Sequence, residues 1–206
     1  MAELTLTVGP ELARSPLAHL ETAMAQGAVA GHRGVSLHEI AFLTMISVRV
    51  APTTPQAARL ADVLGVPVPT ACGRVSPGLG HNILWLGPDE FLVISTEDAT
   101  QLTERLIQAL GESAGLVVDL SANRTTLELS GPSARAVLEK GCSVDLHPRE
   151  FSAGMAVVTQ VGAAPVILWQ TASTPTYRLL PRASFADYTA RWLLDAMAEF
   201  AEPEVP

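Results

Sequence analysis

Ile83-Leu84-Trp85-Leu86-Gly87-Pro88-Asp89-Glu90-Phe91-Leu92-Val93-Ile94-Ser95 decides how the rest of the chain is read. Two apolar runs of strand length flank Gly-Pro-Asp-Glu. Proline presets the turn dihedral and Asp favours local backbone bonds, so the stretch predicts a hairpin with strands at 83–86 and 91–95. Upstream, Ile46, Val48 and Val50 alternate with Ser47, Arg49 and Ala51, which is strand period. Thr54-Pro55 follows as N-cap and first-turn proline. Leu60, Ala61 and Leu64 then fall on one helical face before Gly65 stops the helix. Downstream, Leu102, Leu106, Ile107 and Leu110 recur at core-facing helical spacing.

The same grammar returns in the second half. Leu127 and Leu129 alternate with polar residues, and Gly131-Pro132 opens a helix carrying Ala134, Val137 and Leu138 that stops at Gly141. A hairpin is expected over 155–161 and 164–171, turned at Gly162, and one more strand over Tyr177–Leu180. Ser184 with Asp187 has the capping-box pattern, ahead of a stripe of Phe185, Tyr188, Trp192, Leu193, Ala196 and Phe200. Pro55 to Pro132 and Gly87 to Gly162 keep nearly equal spacings. The expected fold is therefore α+β, with β-α-β-β-α units used twice and mostly antiparallel sheet. Residues 1–34 read as a leader packed on the body. Residues 35–200 read as a single domain of two pseudo-repeats, about 35–112 and 115–200, and 201–206 as a tail.

Composition narrows the function classes. Apolar residues make up 48% of the 206 and charged residues 17%, which suits a packed core and excludes a disordered chain. Net charge is −8, with one lysine, Lys140, among scattered arginines. Nucleic acid and anionic membrane surfaces both require a concentrated basic face and are poor partners. Cys72 and Cys142 are too few for a disulfide framework, and Met1-Ala2-Glu3 does not open a signal peptide, so the chain reads as cytoplasmic. Ala153–Tyr177 lacks charge, but Thr159, Gln160, Gly162, Pro165 and Gln170 read as a hairpin rather than a spanning helix.

Catalytic motifs fail on context. Gly111-Glu112-Ser113-Ala114-Gly115 fits the nucleophile-elbow pattern, with Asp119 or Asp145 and His147 following in hydrolase order. That chemistry needs a strand before the serine and a helix after it, and here the order is reversed. His38-Glu39 begins a zinc-protease motif whose second ligand position holds Phe42. Gly78-Leu79-Gly80 lacks the third glycine of a dinucleotide fingerprint. The five histidines form no ligand pattern with the cysteines. Cys142, after a helix C-terminus, reads as core packing. On these grounds the chain has no catalytic, cofactor-binding or metal-binding residue of its own.

Four stretches carry a resemblance. They are Arg14-Ser15-Pro16-Leu17, Leu84-Trp85-Leu86-Gly87-Pro88-Asp89-Glu90-Phe91-Leu92, Val118-Asp119-Leu120-Ser121-Ala122-Asn123-Arg124 and Leu138-Glu139-Lys140-Gly141-Cys142-Ser143-Val144-Asp145-Leu146-His147-Pro148. In this order they resemble the gamma subunit of heterotetrameric sarcosine oxidase, with Phe91 and Ser143 in place of a usual tryptophan and proline. The resemblance implies a non-catalytic subunit of an enzyme that oxidatively demethylates sarcosine to glycine with hydrogen peroxide, passing the one-carbon unit to tetrahydrofolate. It implies FAD, FMN, NAD, tetrahydrofolate and zinc on the partner alpha, beta and delta subunits, with alpha the direct neighbour. It also implies a fold similar to the folate-binding aminomethyltransferases. Trp85, Asp89 and Arg124 are the candidates for fixing the chain's own hairpin or the subunit contact. The alternative is a free-standing folate-binding or aminomethyl-transfer protein of the same fold. Against it, the strand His81-Asn82-Ile83-Leu84-Trp85 supplies no acid to polarise a pterin or amine.

Overall fold

A computed structural model of the chain describes residues 13–202; the first twelve residues of the leader and the last four of the tail lie outside it. The elements run α1 (Glu21–Gln26), β1 (Ser36–Ile40), β2 (Thr44–Arg49), α2 (Pro55–Leu64), β3 (Val75–Pro77), β4 (His81–Gly87), β5 (Glu90–Ser95), α3 (Ala99–Leu110) and β6 (Leu116–Asp119). They continue through β7 (Thr126–Ser130), α4 (Ala134–Glu139), β8 (Met155–Val161), β9 (Ala164–Ala172), β10 (Thr176–Pro181) and α5 (Ala183–Ala198). The fold is α+β, and its named strands pair antiparallel throughout.

Two five-stranded sheets result, ordered β3-β4-β5-β2-β6 and β1-β7-β10-β9-β8. Strand period gives each sheet two apolar faces, and three cores fill the layers between elements. Ile46, Val48, Ile83, Phe91 and Val93 of the first sheet face Ala57, Leu60, Leu64, Leu102 and Leu106 of α2 and α3. Leu127, Leu129, Leu168, Tyr177 and Leu179 of the second face α4 and α5, and Leu17, Leu20 and Met24 of the leader join that core. Between the sheets, Met45, Leu84, Leu92 and Ile94 meet Ala156, Ile167, Trp169 and Leu180. The order of layers is helices, sheet, sheet, helices. Each fully buried Leu or Ile contributes about 1.5–3 kcal/mol relative to exposure.

Local chemistry sets the helix ends. The Thr54 hydroxyl accepts from the Ala57 N–H, Pro55 sits at the first helical position, and Gly65 ends α2 with φ +69°. Asp98 caps α3 through the Gln101 N–H.

The duplication is visible in the strand orders, with a shift in which turns correspond. Read from the β6 edge, the first sheet runs β6-β2-β5-β4-β3, matching β1-β7-β10-β9-β8. The β8–β9 turn at Gly162 therefore corresponds to the turn between β3 and β4, and the β4–β5 hairpin at Gly87 to the β9–β10 connection. The spacing of Gly87 and Gly162 pairs turns one strand apart, because β3 is three residues ending in Pro77 and carries no alternation.

Three local expectations are corrected. Of the four residues expected on the core face of α3, Leu102, Leu106 and Leu110 are buried, but Ile107 is 50% exposed. On α5 the buried face is Ala186, Thr189, Ala190, Leu193, Ala196 and Met197, while Phe185 and Tyr188 are exposed. Small residues let this helix approach the sheet, and the aromatics turn aside. The Ser184–Asp187 capping box does not form: Arg182 is the N-cap, without a side-chain cap bond, and Asp187 bonds His19 and Arg191. The chain enters α5 directly from β10, so the helix begins two residues early.

Candidate functional site

The three residues singled out from the sequence do not converge. Trp85, half-buried on β4, packs against the core beneath α2 and α3 and lies across from the fully buried Phe91. Its backbone N–H donates to the Arg74 carbonyl at 3.0 Å. Asp89 is exposed in the turn; its carbonyl accepts from the Val50 N–H at 3.0 Å. The carboxylate that pairs on this hairpin is Glu90, 2.6 Å from Arg49. Arg124 lies in the other half, just before β7.

At that position Arg124 meets Arg182, a residue the sequence reading passed over. The two backbones form an isolated antiparallel bridge, and Arg124 Nη1 donates to the Leu180 carbonyl at 2.9 Å. Burial, and then the Arg182 charge beside it, hold the Arg124 guanidinium below its ordinary value. Both arginines line a cleft of about 250 Å³ with Val158, Pro165, Val166 and Phe185. The signal for this pair is adjacency of β7 and β10, which a single sequence does not display.

A second buried polar group joins β5 to α3. His81 stands opposite Ser95 across the hairpin, with Nδ1 3.1 Å from Ser95 Oγ and Nε2 3.1 Å from Glu97 Oε1. Glu97 also pairs with Arg105, and its N–H donates to Ser95 Oγ at 2.9 Å. The residue types match a nucleophile, a base and an acid, but Ser95 and His81 are buried, so no substrate reaches the hydroxyl. The cluster clamps structure. The turn pairs Gly87 with Glu90, and a bulge between Trp85 and Gly87 then shifts the register so that residue 81 falls opposite 95, a shift that the turn residues do not encode.

Phe42, in the link from β1 to β2, has φ +60° and is 68% exposed. A bulky residue held in the left-handed region and facing outward is a strained presentation of an aromatic ring. It lines a cleft of about 580 Å³ with Arg14, Thr44, Glu97, Asp98 and Ser121. Ser113 accepts from Arg59 Nη2 at 3.2 Å, in a connection that α3 precedes and β6 follows. Among the described residues, no group of three or more His, Cys, Asp or Glu side chains is placed to hold a metal ion, and no helix is long and apolar enough to cross a membrane.

The model of the "Sarcosine oxidase, gamma subunit family" matches residues 50–199. The chain belongs to that family. The sarcosine oxidase subunit gamma of Corynebacterium sp. (strain U-96) is 47% identical over 206 residues, covering 100% of both chains. That of an Arthrobacter species is 48% identical over the same full length. Among solved structures, a chain of the heterotetrameric sarcosine oxidase from Corynebacterium sp. U-96 matches with TM-score 0.90 and 48% identity, covering 95% of this chain and 100% of that one. The glycine cleavage system aminomethyltransferase T of Bartonella henselae matches with TM-score 0.63 and 20% identity, over 87% of this chain and 56% of that chain. That similarity concerns the fold alone.

The gamma subunit family model takes in the first hairpin and both arginines of the cleft. In the stretch Lys140–Pro148, which carried much of the resemblance, the side chains act on packing. Lys140 bonds the Ala196 carbonyl and Glu199 and lies over the Phe200 ring, Leu146 is buried, and Asp145 accepts from the His147 N–H.

Proposed function

We propose that this chain is the gamma subunit of a heterotetrameric, flavin-dependent sarcosine oxidase. The assembled enzyme demethylates sarcosine oxidatively to glycine, releases hydrogen peroxide and passes the one-carbon unit to tetrahydrofolate. In this reading the chain supplies no catalytic group. It supports assembly, with alpha as its direct neighbour and FAD, FMN, NAD, tetrahydrofolate and zinc held by the alpha, beta and delta partners. Residues 35–200 act as one body of two pseudo-repeats, with the leader packed on it. The setting is cytoplasmic, which suits two unpaired thiols.

One observation carries the reading: 47% identity along the full length of both chains to a sarcosine oxidase subunit gamma. A scaffold role also suits a surface that presents Phe42 and Val158 outward, since exposed large apolar side chains are the raw material of subunit contacts.

The test is affinity purification of the tagged chain from its native cells, with an absorbance spectrum and a sarcosine-dependent peroxide assay. A yellow multi-subunit complex that makes peroxide is the expected result. A colourless single species that binds tetrahydrofolate in direct titration would overturn it in favour of a free-standing folate protein.

A further inference from the structure

Arg124 and Arg182 adjoin each other across an isolated bridge and line one cleft, with no carboxylate within 4.0 Å of either among the described residues. Arg124 spends one donor on the Leu180 carbonyl, leaving the rest of a five-donor fork for another acceptor. Holding two guanidiniums together, one of them half-buried, is unfavourable unless an anion offsets it. The surroundings add to the positive potential: α5, sixteen residues long, begins at Ala183 with Arg182 as its N-cap, no side-chain cap bond and no acid in its first turn.

The other walls are apolar. Val158 is 63% exposed and Phe185 39%, beside Pro165 and the buried Val166. Val158 lies on β8, the edge strand of its sheet, whose outer side is bridged at Met155 and at Val161. Two cations within an exposed apolar surround complement an acidic side chain that carries hydrophobic neighbours.

We propose that the Arg124–Arg182 cleft is a socket for an Asp or Glu side chain, flanked by an apolar residue, presented by a partner subunit. The inference rests on the assembly reading above. A volume of about 250 Å³ admits a carboxylate with a few carbons. A free small acid would fill the cleft and leave the outer sides of Val158 and Phe185 in water, whereas a protein segment brings the surface that covers them.

The test uses the co-expressed complex, measuring how much of each gamma variant stays with a tagged partner subunit as salt is raised. Arg182→Gln and Arg124→Gln each weaken retention by at least about tenfold, and Arg182→Glu by more. Phe185→Ser, which leaves both charges, weakens it as well. Wild-type retention falls steeply with ionic strength and that of the double Gln variant less so. Arg182 is exposed, so melting curves of its variants separate a lost contact from a lost fold. Retention of all variants within twofold of wild type overturns the socket while the assembly reading stands. A wild-type chain that joins no complex overturns both. Binding of propanoate to the free chain, lost in Arg124→Gln while assembly is unaffected, would replace the partner side chain with a small acid and so overturn the proposal.

Discussion

Gly141 lies directly against the indole of Trp192: a Cβ at position 141 would stand 2.5 Å from Cζ2 and 3.1 Å from Cη2 of that ring. The Gly141 carbonyl accepts from the Gly162 N–H at 3.0 Å, and a Cβ at 162 would fall 2.7 Å from the Tyr188 hydroxyl. The two glycines let the end of α4 and the β8–β9 turn close onto α5. Gly141→Ala therefore costs about 1–3 kcal/mol by overpacking. Gly65→Ala meets open space and costs about 1–2 kcal/mol through its positive φ alone. Urea midpoints of Gly65→Asn and Gly141→Asn separate the causes. Gly65→Asn is milder than Gly65→Ala because asparagine tolerates φ > 0, whereas Gly141→Asn is no milder than Gly141→Ala.

The capping assignments differ sharply along the chain. Asp98→Ala costs about 1 kcal/mol, and Thr54→Ala, whose bond to the Ala57 N–H is 3.4 Å, falls toward the low end of the range near ~0.5 kcal/mol. Ser184→Ala stays within about 0.5 kcal/mol of wild type because its hydroxyl caps nothing. Denaturation of the three variants side by side checks the order.

His81 fills a buried slot between a hydroxyl and a carboxylate. His81→Ala costs about 2–3 kcal/mol, combining a cavity with lost hydrogen bonds. Glu97→Gln retains an acceptor for the ring and stays within about 1 kcal/mol. Equal losses in the two variants would contradict this division.

Hydrogen bonds from Arg191 first, and then from His19, hold the Asp187 carboxyl below its ordinary value. A folded-state value below the unfolded one means that the contribution is present above roughly pH 4 and lost as pH falls through the folded value. The stability gap between wild type and Asp187→Asn closes in acid. Because the pair is exposed, the gap also shrinks in high salt. Urea midpoints across the acid range, at two salt concentrations, read both effects.

Arg182→Gln removes a like charge beside Arg124 from an exposed position. The isolated chain keeps its stability within about 0.5 kcal/mol, with the change on the stabilising side. A thermal melt of the free variant gives this value independently of any partner.

Much of the fold lay on the surface of the sequence. Thr54-Pro55 and Gly65 bracket α2 through purely local chemistry, and Gly87-Pro88-Asp89-Glu90 marks its own turn, although the bulge between Trp85 and Gly87 that sets the register beyond it does not show in the turn residues. What escaped reading depends on which elements become neighbours. Period alone put Phe185 and Tyr188 of α5 inward, but the sheet accepted Ala186, Ala190 and Thr189, because close approach rewards small side chains over large ones. Trp85 and Asp89 could be placed on one hairpin, since a single short stretch contains both. Arg124 meets Arg182 only because β7 and β10 pair, and nothing local to either residue encodes that meeting.

The two edge strands β1 and β6 assign unequal histories to the halves. The first sheet draws all its strands from residues 44–119 and can close as soon as they leave the ribosome. The second needs β1, made near the start of synthesis, to wait until β7 emerges. During that interval Leu37 and the leader's Leu17, Leu20 and Met24 have no finished core to enter. Translation in chain order thus leaves a hydrophobic N-terminal arm without its partners until the later strands are made.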